Sequence, residues 1–212
     1  MPESTYDKSQ SISRFLDAVA SRQPIPGGGA VAALTGALAG AIGEMVLAYS
    51  TGKSGAPADQ DQKLRSALVE LNRARGIMLE LMVEDQAAFA ALSAERRRGG
   101  TGEKERAFAA ALLACIRVPQ AVAATAGQIL SICERVAPVA NRYLLSDLAV
   151  CAELAAGTVR AAGHMFKVNL TDISAAERAR LTGAIDAQLA AATASVRRVM
   201  GAIAARQQER GG

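Results

Sequence analysis

Residues 30–43 read Ala-Val-Ala-Ala-Leu-Thr-Gly-Ala-Leu-Ala-Gly-Ala-Ile-Gly, a run without charge and almost without bulk. Gly36, Gly40 and Gly43 recur three or four positions apart, and Ala33, Ala37 and Ala41 four apart, with Ala32 beside them. That spacing stacks small residues on a helix. Each internal glycine costs a helix up to about 1 kcal/mol relative to alanine, so the pattern is useful where another backbone comes close. The run ends at Glu44 and falls short of the roughly 20 apolar residues that a membrane span needs. The expectation is a buried helix of a soluble bundle, covering 30–51.

The remainder of the chain agrees with helix. Of its 212 residues 47 are alanine, aromatics are 3% and tryptophan is absent. Alanine is the best helix former, whereas strands favour the β-branched and aromatic residues that are scarce here. An all-β fold is excluded and an all-α fold is expected. Ile12, Phe15, Leu16 and Val19 place a short helix over 11–21, stopped by Pro24 and Pro26. Leu64, Leu68, Leu71, Met78, Met82, Phe89 and Leu92 form the stripe of a helix over 60–97, roughly 57 Å long. Such a length implies an elongated bundle of antiparallel helices, or a dimer. A glycine-rich turn at 99–102 follows, then helix over 103–136, broken or kinked at Pro119. The next helices cover 146–167 and 174–206, the last opened by the capping box Ser174-Ala-Ala-Glu177. Residues 1–10 and 207–212 are expected to be disordered, leaving one domain over 11–206.

The net charge of +4 suits an anionic ligand without demanding one. The few aromatics argue against a nucleic-acid platform. Cys115, Cys133 and Cys151 form no CxxC pair and read as buried apolar residues in a reducing, cytoplasmic setting. The single histidine, His164, cannot make a zinc site alone.

Asp85 is the sharpest candidate for chemistry. Met78, Met82, Asp85 and Phe89 share one helix face. A charge in that stripe is ion-paired, turned to solvent, or set in a cavity that perturbs its pKa and suits it to proton transfer. Pro24-Ile25-Pro26-Gly27-Gly28-Gly29 leads into the thin helix, whose N-terminus presents unpaired N–H donors. It is either a plain loop or a cradle for a carbonyl, carboxylate or phosphate, and it matches no dinucleotide or Walker signature. Ser146 and Asp147 suit a helix cap as well as a site. Asn169 suits a turn, Lys53 a helix-end cation, and Arg96, Arg97 and Arg98 a solvated loop.

Taken together, Phe15-Leu16-Asp17, Val19-Ala20-Ser21, Pro24, Pro26-Gly27-Gly28-Gly29 and Val31-Ala32-Ala33-Leu34 resemble the opening of the cyclodeaminase/cyclohydrolase family. Matches follow in order at Thr51-Gly52-Lys53, Glu84-Asp85, Ala88-Phe89, Val118-Pro119, Ser146-Asp147 and Val168-Asn169-Leu170, spanning 11–205. The resemblance implies an all-helical homodimer that takes a tetrahydrofolate derivative as substrate, without metal or tightly bound cofactor. It implies Asp85 and Lys53 as catalytic residues, with Pro26, Gly27, Gly28, Gly29, Asn141, Asp147 and Asn169 around the folate. Two positions depart from the family pattern: Tyr143 and Met165 stand where asparagines are common. No formiminotransferase segment is visible, so methenyltetrahydrofolate cyclohydrolase is the first expectation. Formiminotetrahydrofolate cyclodeaminase and a folate-binding dimer without turnover are the alternatives.

Overall fold

The structure is a computed structural model and describes residues 6–98 and 103–208. Those residues form α1 (Ile12–Ala20), α2 (Gly28–Ala48), α3 (Ala58–Arg98), α4 (Glu103–Val136), a 3-10 turn (Arg142–Leu144), α5 (Leu145–Val168) and α6 (Ala175–Gln208). The expected all-α fold holds: there is no strand among the described residues.

Helices α2, α3, α4 and α5 pack around one core, and α6 lies against α4 and α5. The direction of each helix follows from its partners. Gly36, Gly40 and Gly43 of α2 face Met78, Arg75 and Leu71 of α3, so these two run antiparallel. Cys133 of α4 meets Cys151 of α5, while Cys115 meets Asn169 at the far end, so this pair is antiparallel too. Glu134 of α4 pairs with Arg198 of α6, and Ala137 with Arg206, so α4 and α6 are parallel. One end of the bundle therefore gathers the start of α2, the end of α5 and the last third of α3. The other gathers the end of α2 and the starts of α3 and α5.

The small residues of α2 are used as their spacing required. A Cβ on Gly36 would stand 2.7 Å from the Met78 methyl carbon, and one on Gly40 would stand 3.1 Å from the Arg75 Cβ. Glu44, which closes the uncharged run, accepts from Arg75 at 2.6 Å. By length and composition Gly28–Ala48 and Glu105–Val136 would also pass as membrane spans, but 56% and 44% of these windows are buried inside the bundle. The three cysteines are buried and unbridged. The Cys133 and Cys151 Sγ atoms are 3.4 Å apart, and the Cys151 thiol donates to the Ala39 carbonyl.

Several expectations need correction. Helix α2 starts at Gly28 and ends at Ala48, because the glycine run itself supplies its first turn. Pro119 does not break α4, which is continuous through it. Arg96, Arg97 and Arg98 are the last turn of α3, where cations suit the negative helix end. Phe89 is 42% exposed, and the core face passes instead through Gln86, Ala88 and Leu92. Tyr6 is buried, its ring packed edge-on against Phe15, so the segment from residue 6 is docked; α6 likewise continues to Gln208. Residues 1–5 and 209–212, and the turn expected at 99–102, lie outside the described residues.

Candidate active site

Asp85 sits on α3 where the start of α2 crosses it. The Ala30 backbone N–H, in the first turn of α2, hydrogen-bonds to the Asp85 carboxylate. That donor and the positive end of the helix favour the anion. Burial opposes them and prevails, so the Asp85 pKa is raised above the ordinary aspartate value. A carboxylate in this state takes and returns a proton closer to neutral pH than an exposed one.

The glycines beside it are unequal. No side chain fits at Gly29: its Cβ would stand 2.7 Å from Asp85 Oδ2 and closer still to Oδ1 and Cγ. At Gly28 a Cβ would meet the Met165 sulfur at 3.0 Å, and at Gly27 only the Pro24 carbonyl at 3.7 Å. Positive φ among the described glycines occurs at Gly52 and Gly55, so the triple glycine serves close approach rather than a left-handed turn. Pro26, joined to Ile25 by a cis peptide, leads into it.

Asn169 closes the same end of the bundle and has a defined task. Pro119 has no N–H, so the carbonyl four residues earlier, on Cys115, lacks its helical donor. The Asn169 Nδ2 fills that gap at 2.6 Å. Cys115 is also close enough for Asp85 to help raise its thiol pKa, after burial itself. The Val118-Pro119 and Asn169 motifs are thus two halves of one contact, which the sequence alone left unconnected. Met165 faces inward against Gly28, whereas its neighbour His164 is exposed.

Lys53, Asn141 and Asp147 lie at the opposite end. Helix α2, 21 residues long, separates the two ends by roughly 30 Å. Asn141 stitches that end together: its N–H donates to Ser50 Oγ at 2.8 Å and its Nδ2 to the Tyr49 carbonyl at 3.1 Å. It also caps the 3-10 turn through Tyr143 N–H. Asp147 lies in the first turn of α5, and Ser146 is exposed beside it. Lys53 is exposed just past Gly52, whose N–H donates to Asp61 at 2.6 Å. One copy of the chain therefore unites Asp85 with Pro26, Gly27, Gly28, Gly29 and Asn169, but not with Lys53, Asn141 or Asp147.

The sequence profile of the Formiminotransferase-cyclodeaminase family matches residues 11–196. The chain belongs to this family. The methenyltetrahydrofolate cyclohydrolase of Methylorubrum extorquens is 30% identical over 166 residues, 76% of this chain and 79% of that one. The formimidoyltransferase-cyclodeaminase of Mus musculus is 30% identical over 182 residues, and that of Gallus gallus 28% over 171. The matched regions cover 34% and 31% of those longer proteins, so the chain spans about a third of the vertebrate members. Among solved structures, formiminotetrahydrofolate cyclodeaminase from Thermotoga maritima superposes with a TM-score of 0.83 at 26% identity, over 92% of this chain and 96% of that one. The relatives are folate-processing enzymes by name, and the shared fold extends across the whole bundle.

Proposed function

We propose that the chain hydrolyses 5,10-methenyltetrahydrofolate to 10-formyltetrahydrofolate, with Asp85 moving the protons. The observation that carries this reading is the partly buried Asp85 carboxylate held at the first turn of α2 with a raised pKa. As a carboxylate it stabilises the cationic substrate electrostatically. It accepts a proton from the water that adds to the carbon bridging N5 and N10. The neutral adduct then breaks its bond to N5. Asp85 returns a proton to N5, and the hydroxyl loses its own proton as the formyl carbonyl forms, so one proton is released overall. The N–H groups of Gly28 and Gly29 receive a carbonyl of the pterin, and Lys53 faces an anionic part of the folate.

The same carboxylate suits the cyclodeaminase reaction, in which N10 adds to the formimino carbon and ammonia leaves. The likeness to the Thermotoga maritima cyclodeaminase supports that second reading. Offering each substrate separately decides between them. Loss of methenyl absorbance on adding enzyme supports the hydrolase, and ammonia release with rising methenyl absorbance supports the cyclodeaminase. Folate binding with neither change sinks both.

We read the working unit as a homodimer. Val31, Leu38 and Met45 of α2 are exposed, and each is seven residues from the next, the period of a helix–helix seam. Pairing two copies of α2 antiparallel along this stripe brings the Asp85 end of one copy to the Lys53, Asn141 and Asp147 end of the other. The reading uses neither metal nor resident cofactor, and it assigns the protein to the cytoplasm with neither nucleic acid nor membrane as partner. The burial of small residues along α2 against α3 supports the last point.

A further inference from the structure

The segment leading into α2 is tied to α3 at both its ends, and the two ties fall on consecutive residues. At one end Gly29 lies against Asp85. At the other, the main chain of Tyr6 is held by Gln86. The Gln86 Oε1 accepts from Tyr6 N–H at 2.8 Å, and its Nε2 donates to the Tyr6 carbonyl at 2.9 Å and to the Met82 carbonyl at 3.0 Å. Gln86 has no exposed surface, so a buried carboxamide is committed to gripping the main-chain N–H and carbonyl of one residue. The Tyr6 hydroxyl folds the segment back on itself, reaching the Gln10 and Ser11 carbonyls at 2.8 and 2.6 Å.

Between the ties the buried anchors are few: Phe15 in α1, and Ile25 and Pro26 just before α2. Phe15 is the buried residue of α1, whereas Ile12 and Leu16 are 62% and 58% exposed. A cavity of about 370 Å³ lies within the loop, bounded by Tyr6, Arg14, Asp17, Gln23 and Pro26 among others. Elements with few buried apolar anchors open at lower free energy than the core they rest on, and closing loops of this kind position groups and exclude water around reacting centres.

From this geometry we infer that residues 6–26 form a latched cover for the Asp85 site, and that Gln86 is its latch. Because latch and carboxylate are neighbours on one turn of α3, the cover is fastened beside the Asp85 site and can open there while Gly29 stays against Asp85. The inference rests on the folate reading for its kinetic half only.

Gln86→Leu keeps an apolar volume in the core and removes the grip on Tyr6. Hydrogen exchange of the full chain should show the amides of 6–20 opening at least tenfold faster in the variant, with α2–α5 unchanged. With 5,10-methenyltetrahydrofolate, KM should rise about tenfold while kcat stays within threefold. Phe15→Ala releases α1 without touching α3 and should give the same split. It decides the case if Gln86→Leu loosens the whole bundle. Unchanged exchange over 6–20 in both variants overturns the latch, and faster exchange with unchanged KM overturns the cover. If the parent protein neither turns over nor binds folate, the folate reading fails, and the exchange measurement still decides the latch.

Discussion

Adjacent glycines at the start of α2 give the site an internal control. In Gly29→Ala the new Cβ would stand 2.7 Å from Asp85 Oδ2 and closer to the rest of the carboxylate. Unstrained contact needs about 3.5 Å, so the carboxylate must withdraw by at least about 1 Å. It then loses the Ala30 N–H, a charged hydrogen bond contributing about 1.5–3 kcal/mol. Replacing glycine by alanine in a helix offsets about 0.5–1 kcal/mol of that. The net loss of about 0.5–2.5 kcal/mol lowers Tm by about 1–10 °C for a chain of this size. Misplacing a catalytic group by about 1 Å costs on the order of 100-fold in rate. In Gly28→Ala the new Cβ meets the flexible Met165 thioether at 3.0 Å, so turnover should stay within about threefold, because a movable side chain relieves the contact. The assay is the loss of methenyl absorbance, run beside thermal melts of both variants. If Gly29→Ala retains parent turnover, or if the two alanines act alike, the carboxylate does not work from the position seen here.

Three further outcomes are expected. Asp85→Asn keeps an acceptor for the Ala30 N–H but no base, and turnover should fall by about 10²–10⁴-fold, measured by the same absorbance assay. Because the folded pKa of Asp85 is raised, the native state holds a proton that the unfolded chain releases between the two pKa values. Ionisation of Asp85 thus weakens the fold as pH rises through that window, and denaturant melts at neutral pH should find Asp85→Asn as stable as the parent or more so. Sedimentation at micromolar concentration should give a dimer, and Leu38→Glu in the middle of the α2 stripe should give monomers without turnover; a fully active monomer would refute the shared site. Finally, Asn169→Ala should cost about 1–3 kcal/mol by leaving the Cys115 carbonyl unpaired, but clearly less in a Pro119→Ala background, where residue 119 regains a donor; equal costs in both backgrounds, by chemical denaturation, would break the proposed link.

Much of the fold was legible because helix signals are local. The Gly36, Gly40 and Gly43 pattern announced a close neighbour, and the Ser174 box appears as the Ser174 Oγ accepting from Glu177 N–H at 3.3 Å. What failed was long-range. Nothing local says that the Pro119 gap is filled from residue 169, so a break was the natural expectation. Nothing local ties Tyr6 to Gln86, since their contact spans 80 positions, and a polar N-terminus reads as loose. A repeat of four and three continued past Met82 carries Phe89 into the core, but by then the buried face has already turned to Gln86. At the site, residue type and order were readable, but proximity was not. The triple glycine points to backbone N–H groups open to a ligand, but not to the Asp85 carboxylate that fills the side-chain position of Gly29.

The split of the site residues is a consequence of the architecture. An up-and-down bundle joins consecutive helices at alternate ends, so residues just after α2 and just before α5 collect at one end, and those just before α2 and just after α5 at the other. Pro26, Gly29 and Asn169 belong to the second set, and Lys53, Asn141 and Asp147 to the first. No rearrangement short of unfolding α2 brings them together within one copy, because its small residues are locked against Met78, Arg75 and Leu71. A second copy in the antiparallel register proposed above would do so without moving either chain, and the apolar stripe that would guide it occupies the outer face of the same helix. The thinness of α2 thus works on both sides of its axis: inward it lets α3 approach until Asp85 reaches the helix start, and outward it leaves a seam of Val31, Leu38 and Met45. If both groups of residues act in one reaction, that seam is where the partner must lie.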